Sequence, residues 1–163
     1  MTFVVSICVL FYVGFMVFMI SGLFKHTDLE IKSSETLPNV SVVVAARNEE
    51  VHLPHLISDL ISQEYPLDKL EVIIVNDRST DDTAAILDDA SDNYAFIKAI
   101  TIDQVSKDMT PKKNALTKGI EAAFGEIIVL TDADCRVGKL WVSSMTYSAV
   151  SYTHLTLPTN REV

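Results

Sequence analysis

Positive charge is scarce in this chain of 163 residues and unevenly placed: there is no Lys or Arg before Lys25 and no Asp or Glu before Asp28. The 13 Lys/Arg that follow are outnumbered by 22 Asp/Glu, giving a formal net charge of -9 at pH 7. A balance of that sign argues against non-specific binding to nucleic acid. Cysteine is scarcer still. Cys8 and Cys135 lie far apart, which leaves no disulfide framework and no Cys-x-x-Cys metal site and suits a reducing compartment. Glycine-rich phosphate loops are missing too: neither Gly-x-Gly-x-x-Gly nor a Walker A sequence occurs, which argues against dinucleotide oxidoreductases and P-loop NTPases. The length suits one domain, and no internal repeat or low-complexity tract divides it.

What is present begins with the uncharged stretch itself. Residues 1–24 read MTFVVSICVLFYVGFMVFMISGLF. As a helix rising about 1.5 Å per residue they reach roughly 35 Å, enough to cross a hydrocarbon core of about 30 Å with some tilt. A cleaved signal peptide would need a positive leading region and a small-x-small cleavage site, and the run has no lysine or arginine, so an uncleaved transmembrane anchor is expected. Its apolar residues do not alternate with polar ones at a 3.6-residue period, which disfavours a buried core helix. Lys25 immediately after it points weakly to a cytoplasmic C-terminal side at the cell membrane. Residues 25–37 are polar and mixed in charge, the composition of a juxtamembrane linker.

From Pro38 onward the pattern alternates. Val40 to Ala45 (VSVVVA) is a β-branched run suited to a strand buried on both faces. Leu53, Leu56, Ile57, Leu60 and Ile61 then recur at helical spacing, with Glu49 and Glu50 near the start. A second strand is expected at Leu70 to Val75, a second helix from Thr80 through Ala90, a third strand at Phe96 to Ile102, a third helix at Asn114 to Phe124 and a fourth buried strand at Ile127 to Thr131. Strands alternating with helices imply a doubly wound, mainly parallel α/β sheet with Rossmann-like crossovers. Ligands of such sheets bind beyond the carboxyl ends of the strands. The loops there read Ala46-Arg47-Asn48-Glu49-Glu50, Asn76-Asp77-Arg78-Ser79 and Asp132-Ala133-Asp134, so three carboxylate-bearing loops converge on one edge.

Each constellation admits two chemistries. Asp132 and Asp134 suit Mg²⁺ or Mn²⁺ bridged to a diphosphate, or a solvated loop capping its own backbone. Asp77 is either an Asx-turn residue or an acceptor for the imide N–H of a uracil, whereas Asp81 and Asp82 read as dipole partners of a helix start. Lys112 and Lys113 precede the third helix, where cations are out of place unless something anionic binds, although two solvated lysines after Pro111 fit equally well. Arg47 pairs with Glu49 or Glu50, or points into the site. His52 and His55 lack a third ligand for zinc. Cys135 has no identifiable base, so a small buried thiol is expected there.

Taken in order, VSVVVAARNEE, EVIIVNDRSTDDT, PKKNAL and GEIIVLTDADC resemble the N-terminal half of a membrane-bound family 2 glycosyltransferase of the GT-A fold. The resemblance covers about Pro38 to Trp141 and makes residues 38–149 a partial GT-A domain. It implies that Asp77 contacts the uracil of a UDP-sugar, Lys112 the diphosphate, and Asp132 and Asp134 the ribose and a divalent metal, Asp134 being the stronger metal ligand. The stretch Ala45 to Glu49, with Arg47, would line the nucleotide pocket. Pro111, where the family usually has glycine, and Arg78, bulkier than the residue often found there, depart from the pattern. The implied reaction is transfer of a sugar with inversion to a polysaccharide or lipid-linked acceptor. The general base belongs to the second half of such domains and is not identified in this chain; a membrane-tethered nucleotide-sugar binding module without turnover is the alternative. Val150–Val163 resembles a translated transposon-end adapter, so the native sequence is expected to stop near Ser148 or Ala149. A phosphoacceptor receiver domain shares the acidic strand ends but gives no reason for an anchor.

Overall fold

The computed structural model describes residues 2–23, 37–104 and 108–153. The chain divides into two units, Met1–Glu30 and Ile31–Val163. The described residues of the first form one helix, α1 (Thr2–Leu23), with no acidic residue in its first turn and no basic residue in its last. Within it, side chains are described over residues 6–21 and are exposed on every side. That part alone rises about 24 Å, short of a hydrocarbon core of about 30 Å. Accordingly, among the described residues no helix is long and apolar enough to cross a membrane. The expected linker lies almost wholly outside the described residues.

The second unit is built on four parallel strands, β1 (Val40–Ala46), β2 (Leu70–Asp77), β3 (Ile97–Ile102) and β4 (Ile127–Asp132), in the order β3-β2-β1-β4. Between them run α2 (Leu53–Ile61), α3 (Thr83–Asn93) and α4 (Pro111–Glu121), and α5 (Trp141–Thr153) follows β4. The chain winds outward from β1 through β2 to β3 and then returns to the other side of β1. If every crossover keeps the same hand, that reversal puts α4 on the opposite face from α2 and α3.

Strand alternation sorts the core accordingly. Val40, Val42 and Val44 of β1 and Val72 and Ile74 of β2 pack with Leu53, Leu56 and Leu60 of α2 and Leu87 of α3, joined by Val142 of α5. Val43, Ile73 and Val75 point the other way, onto Ala115 of α4. Each fully buried Leu or Val contributes about 1.5–3 kcal/mol by leaving water. Helix α4 lies so close to the sheet that a Cβ at Gly119 would collide with Val43. Gly125, ahead of β4, has the backbone of Ser41 in the same position and donates its N–H to Ser41 Oγ at 2.8 Å.

Three expectations need correction. β4 is not buried on both faces: α4 covers β1 and β2 but not the edge, so Ile128 and Leu130 are exposed. α4 begins at Pro111 rather than Asn114, because Pro suits the first helical position, where its missing N–H has no partner to lose. α3 begins at Thr83 rather than Thr80: Asp82 is the cap residue, its carbonyl accepting the first helical bond from Ile86 N–H at 3.1 Å, and the residues before it run in a loop tied to Asn48 and Glu50. α5, a helix that the sequence pattern does not predict, continues through Val150 to Thr153, while residues 154–163 of the expected non-native tail lie outside the described residues.

Candidate functional site

The topological switch point lies between β1 and β4, and the crevice beyond it is where such sheets hold ligands. Register places Asp132 opposite Ala45, and Ala46 opposite Asn76. By alternation Ala45, Asp77 and Asp132 therefore point to the α4 side. Two strand spacings and a two-residue offset separate Asp77 from Asp132 by roughly 12 Å, comparable with the reach of an extended nucleoside diphosphate.

The two ends of this edge are built differently. At the β2 end Asp77 is buried, its side chain 5% exposed. Arg78 grips it from the side, Nε to Oδ1 at 2.8 Å and Nη2 to Oδ2 at 3.2 Å. The bonded carboxylate raises the pKa of Arg78 further above its ordinary value. Arg47 stands with Nη1 3.9 Å from Asp77 Oδ2. Glu49 pairs instead with His52, Oε2 to Nδ1 at 3.0 Å.

Arg78 and Asn48 both adopt left-handed backbone, with φ of 55° and 56°. For a residue as bulky as arginine this is a true outlier that surrounding contacts must enforce. Those contacts join the β1–α2 loop to the β2–α3 loop. Asn48 Oδ1 accepts from Thr80 N–H at 2.8 Å, Asn48 N–H donates to Ser79 Oγ at 3.0 Å, and Glu49 N–H donates to Thr83 Oγ1 at 2.8 Å. Asn76 Oδ1 accepts from Ser79 N–H at 3.2 Å. Asp81 keeps the structural role expected of it, accepting from Thr83 N–H and Glu50 N–H, each at 3.1 Å.

At the β4 end the groups are open to water. Lys112 Nζ meets Asp132 Oδ1 at 2.7 Å, with side chains 62% and 54% exposed. The lysine is reached because α4 covers the face to which Asp132 points. Its pKa is raised, first by the hydrogen bond and charge of Asp132 and further by Asp134. Asp134 is exposed, two residues on. Cys135 is exposed as well, not buried as expected, because it sits on the outer turn of the same loop.

That loop is stapled to α2 and the turn after it by residues that no sequence motif marks. Asp59 receives Arg136 Nε at 2.6 Å, Nη2 at 3.0 Å and the N–H of Val137 at 3.2 Å. Gln63 donates to Gly138 O at 2.8 Å and accepts from Val142 N–H at 3.0 Å.

Among the described residues no group of three or more His, Cys, Asp or Glu side chains forms a ready metal site. Asp132 and Asp134, both exposed, are the two carboxylates of this loop that could supply oxygen ligands to a hard divalent cation.

Fold and edge together define an open, doubly wound α/β domain with a polar ligand crevice at its switch point. The model of glycosyl transferase family 2 matches residues 41–155, and the chain belongs to that family. It is 37% identical over 115 residues to a beta-monoglucosyldiacylglycerol synthase of Nostoc sp., covering 71% of this chain and 24% of that protein. The chain spans about a quarter of the length of the curated relatives it matches. Among solved structures, S. aureus TarS 1-349 in complex with UDP superposes with a TM-score of 0.57 at 25% identity, covering 71% of this chain and 32% of that one. The mannosyltransferase PcManGT from Pyrobaculum calidifontis, in complex with GDP-Man and Mn²⁺, superposes with a TM-score of 0.60 at 28% identity, covering 84% and 37%.

Proposed function

We propose that this chain is the donor-binding part of a membrane-anchored inverting glycosyltransferase that takes a UDP-sugar and delivers the sugar to a glycan or lipid-linked acceptor. The observation that carries the reading is the placement of Asp77, Lys112 and Asp132 on one face of one sheet edge, at a separation suited to a nucleoside diphosphate. Family membership and the nucleotide complexes of its structural neighbours support it.

In this reading Asp77 accepts the imide N–H of the base, and Ala45, Arg47 and Glu49 line the pocket around it. Lys112 leaves Asp132 for the diphosphate, a stronger anion, and neutralises charge as the nucleotide departs. Asp132 and Asp134 hold Mg²⁺ or Mn²⁺, and the ion, when bound, supplies Lewis-acid stabilisation of the leaving diphosphate. α1, taken over its full Thr2–Leu23 length, rises about 33 Å and serves as the membrane anchor, with the sheet on the cytoplasmic side.

Calorimetric titration of the full chain in detergent tests the site. UDP should bind more tightly with Mn²⁺ than with chelator; no binding, or equal binding under both conditions, removes the reading. For the anchor, alkaline carbonate should leave the chain in the membrane pellet, and release into the supernatant would refute it.

A further inference from the structure

Resting on that reading of Asp77 as the base acceptor, we infer that Arg78 sets which base the site accepts, favouring uracil over guanine by closing the fork of the Asp77 carboxylate. A carboxylate offers about four lone-pair directions, two on each oxygen. The Arg78 guanidinium takes one on each, Nε on Oδ1 at 2.8 Å and Nη2 on Oδ2 at 3.2 Å. The pair of parallel acceptors is then spent, and the directions left over point away from each other.

The two bases ask for different things. Uracil presents one imide N–H, which a single remaining lone pair satisfies. Guanine presents two parallel N–H groups, N1 and N2, and needs the same fork that Arg78 already fills. Cytosine presents an acceptor at the corresponding ring nitrogen, so a carboxylate opposes it with or without Arg78. Asp77 alone would thus admit both uracil and guanine, and the arginine beside it separates them.

The arginine is held to this task. Its φ of 55° is unfavourable for any bulky side chain and turns the guanidinium back onto the preceding residue. The backbone after it is fixed by Ser79 N–H on Asn76 Oδ1 and by Thr80 N–H on Asn48 Oδ1. Asp77 itself is packed at the end of a central strand and cannot turn away. Arg47 stands 3.9 Å from Oδ2 on a side chain half exposed, placed to give way to a base.

The test compares UDP, GDP and CDP titrated into the full chain with Mn²⁺ present throughout, for wild type, Arg78→Gly and Arg78→Lys. Glycine accepts the left-handed backbone freely, so Arg78→Gly should fold. Lysine keeps the charge but offers no fork, and it carries the test if the glycine variant fails to melt cooperatively. Wild type should prefer UDP to GDP. In Arg78→Gly that preference should fall about fivefold or more, the worth of one recovered hydrogen bond, while the UDP to CDP ratio holds. Arg78→Lys should fall between. A UDP to GDP ratio unchanged in both variants overturns the proposal, as does a parallel loss of all three nucleotides, which marks a merely structural arginine. If wild type binds none of the three, or Asp77→Ala leaves every affinity unchanged, the donor-site reading fails and this proposal with it.

Discussion

Asp77 and Asp132 end the two strands that flank β1, yet they sit in different media. Asp77 is 5% exposed, gripped by a guanidinium and set on loops locked to each other by side-chain hydrogen bonds. Asp132 is 54% exposed and touches a lysine that water reaches equally well. The first arrangement is fixed before any ligand arrives; the second can exchange its partner. On the proposed reading, a site that reads a base and also holds a charged diphosphate uses both: rigid acceptors where identity is judged and exchangeable charges where affinity is supplied.

The comparison is tested hardest by removing each carboxylate in turn. Asp77→Ala should lower the melting temperature and weaken UDP by about 1.5–3 kcal/mol through loss of a charged hydrogen bond. Asp132→Ala should leave stability within about 1 kcal/mol, since exposed ion pairs contribute little. Equal destabilisation by the two, in thermal melts followed by circular dichroism, would erase the distinction.

The β4 end, where the proposed reading places a diphosphate and a cation, is sharpened by one carboxylate. Asp134→Ala should abolish the gain in UDP affinity that Mn²⁺ gives, while binding in chelator stays as in wild type. A variant that keeps the full Mn²⁺ response would move the metal to other ligands.

A smaller effect is expected at Lys112. Lys112→Ala should weaken UDP by about 1.5 kcal/mol, roughly tenfold, and flatten the dependence of affinity on salt, because one exposed charge no longer meets the diphosphate. Stability should stay within about 1 kcal/mol of wild type. Titrations across a salt series decide it, and an unaltered slope would remove Lys112 from the diphosphate.

Much of this was legible in the sequence for a specific reason. Parallel strands buried on both faces read as unbroken β-branched runs, so VSVVVA and EVIIV place β1 and β2 within two residues of their observed bounds. Asp77 and Asp132 are legible from their position after strands, and Lys112 from its place ahead of the third helix, where a cation needs an anion. Their pairings were not legible. That Lys112 meets Asp132 depends on which face α4 covers, and that Arg47 turns to Asp77 while Glu49 turns to His52 depends on loop geometry. The starts of α3 and α4 shifted because capping is decided by partners on another loop and by proline at a first turn. Asp59 looked like any solvent-facing acid on a helix, its nearest charged partner being 77 residues away in the chain.

That residue yields the smallest expected effect and joins the two regions, since it anchors the loop carrying Asp134 to the helix that follows β1. The Arg136 hydrogen bonds lower the Asp59 pKa, the Val137 N–H and the Arg136 charge adding to them against a smaller effect of burial. A group whose pKa is lower folded than unfolded contributes stability above its unfolded value, near 3.8, and loses it as pH falls through the folded value. Asp59→Asn keeps an acceptor for Val137 and removes the titration. The variant should therefore be slightly less stable than wild type at pH 7, and the gap should close as pH falls below about 4. Glu71 and Asp81 also have lowered pKa values, so the acid limb of stability is shared and only the difference between the two proteins isolates Asp59. Urea melts from pH 7 to 3 give that difference directly. A gap that does not narrow at all between pH 7 and 3 would mean the carboxylate acts through shape alone, and the loop bearing Asp134 would owe its position to Gln63 rather than to charge.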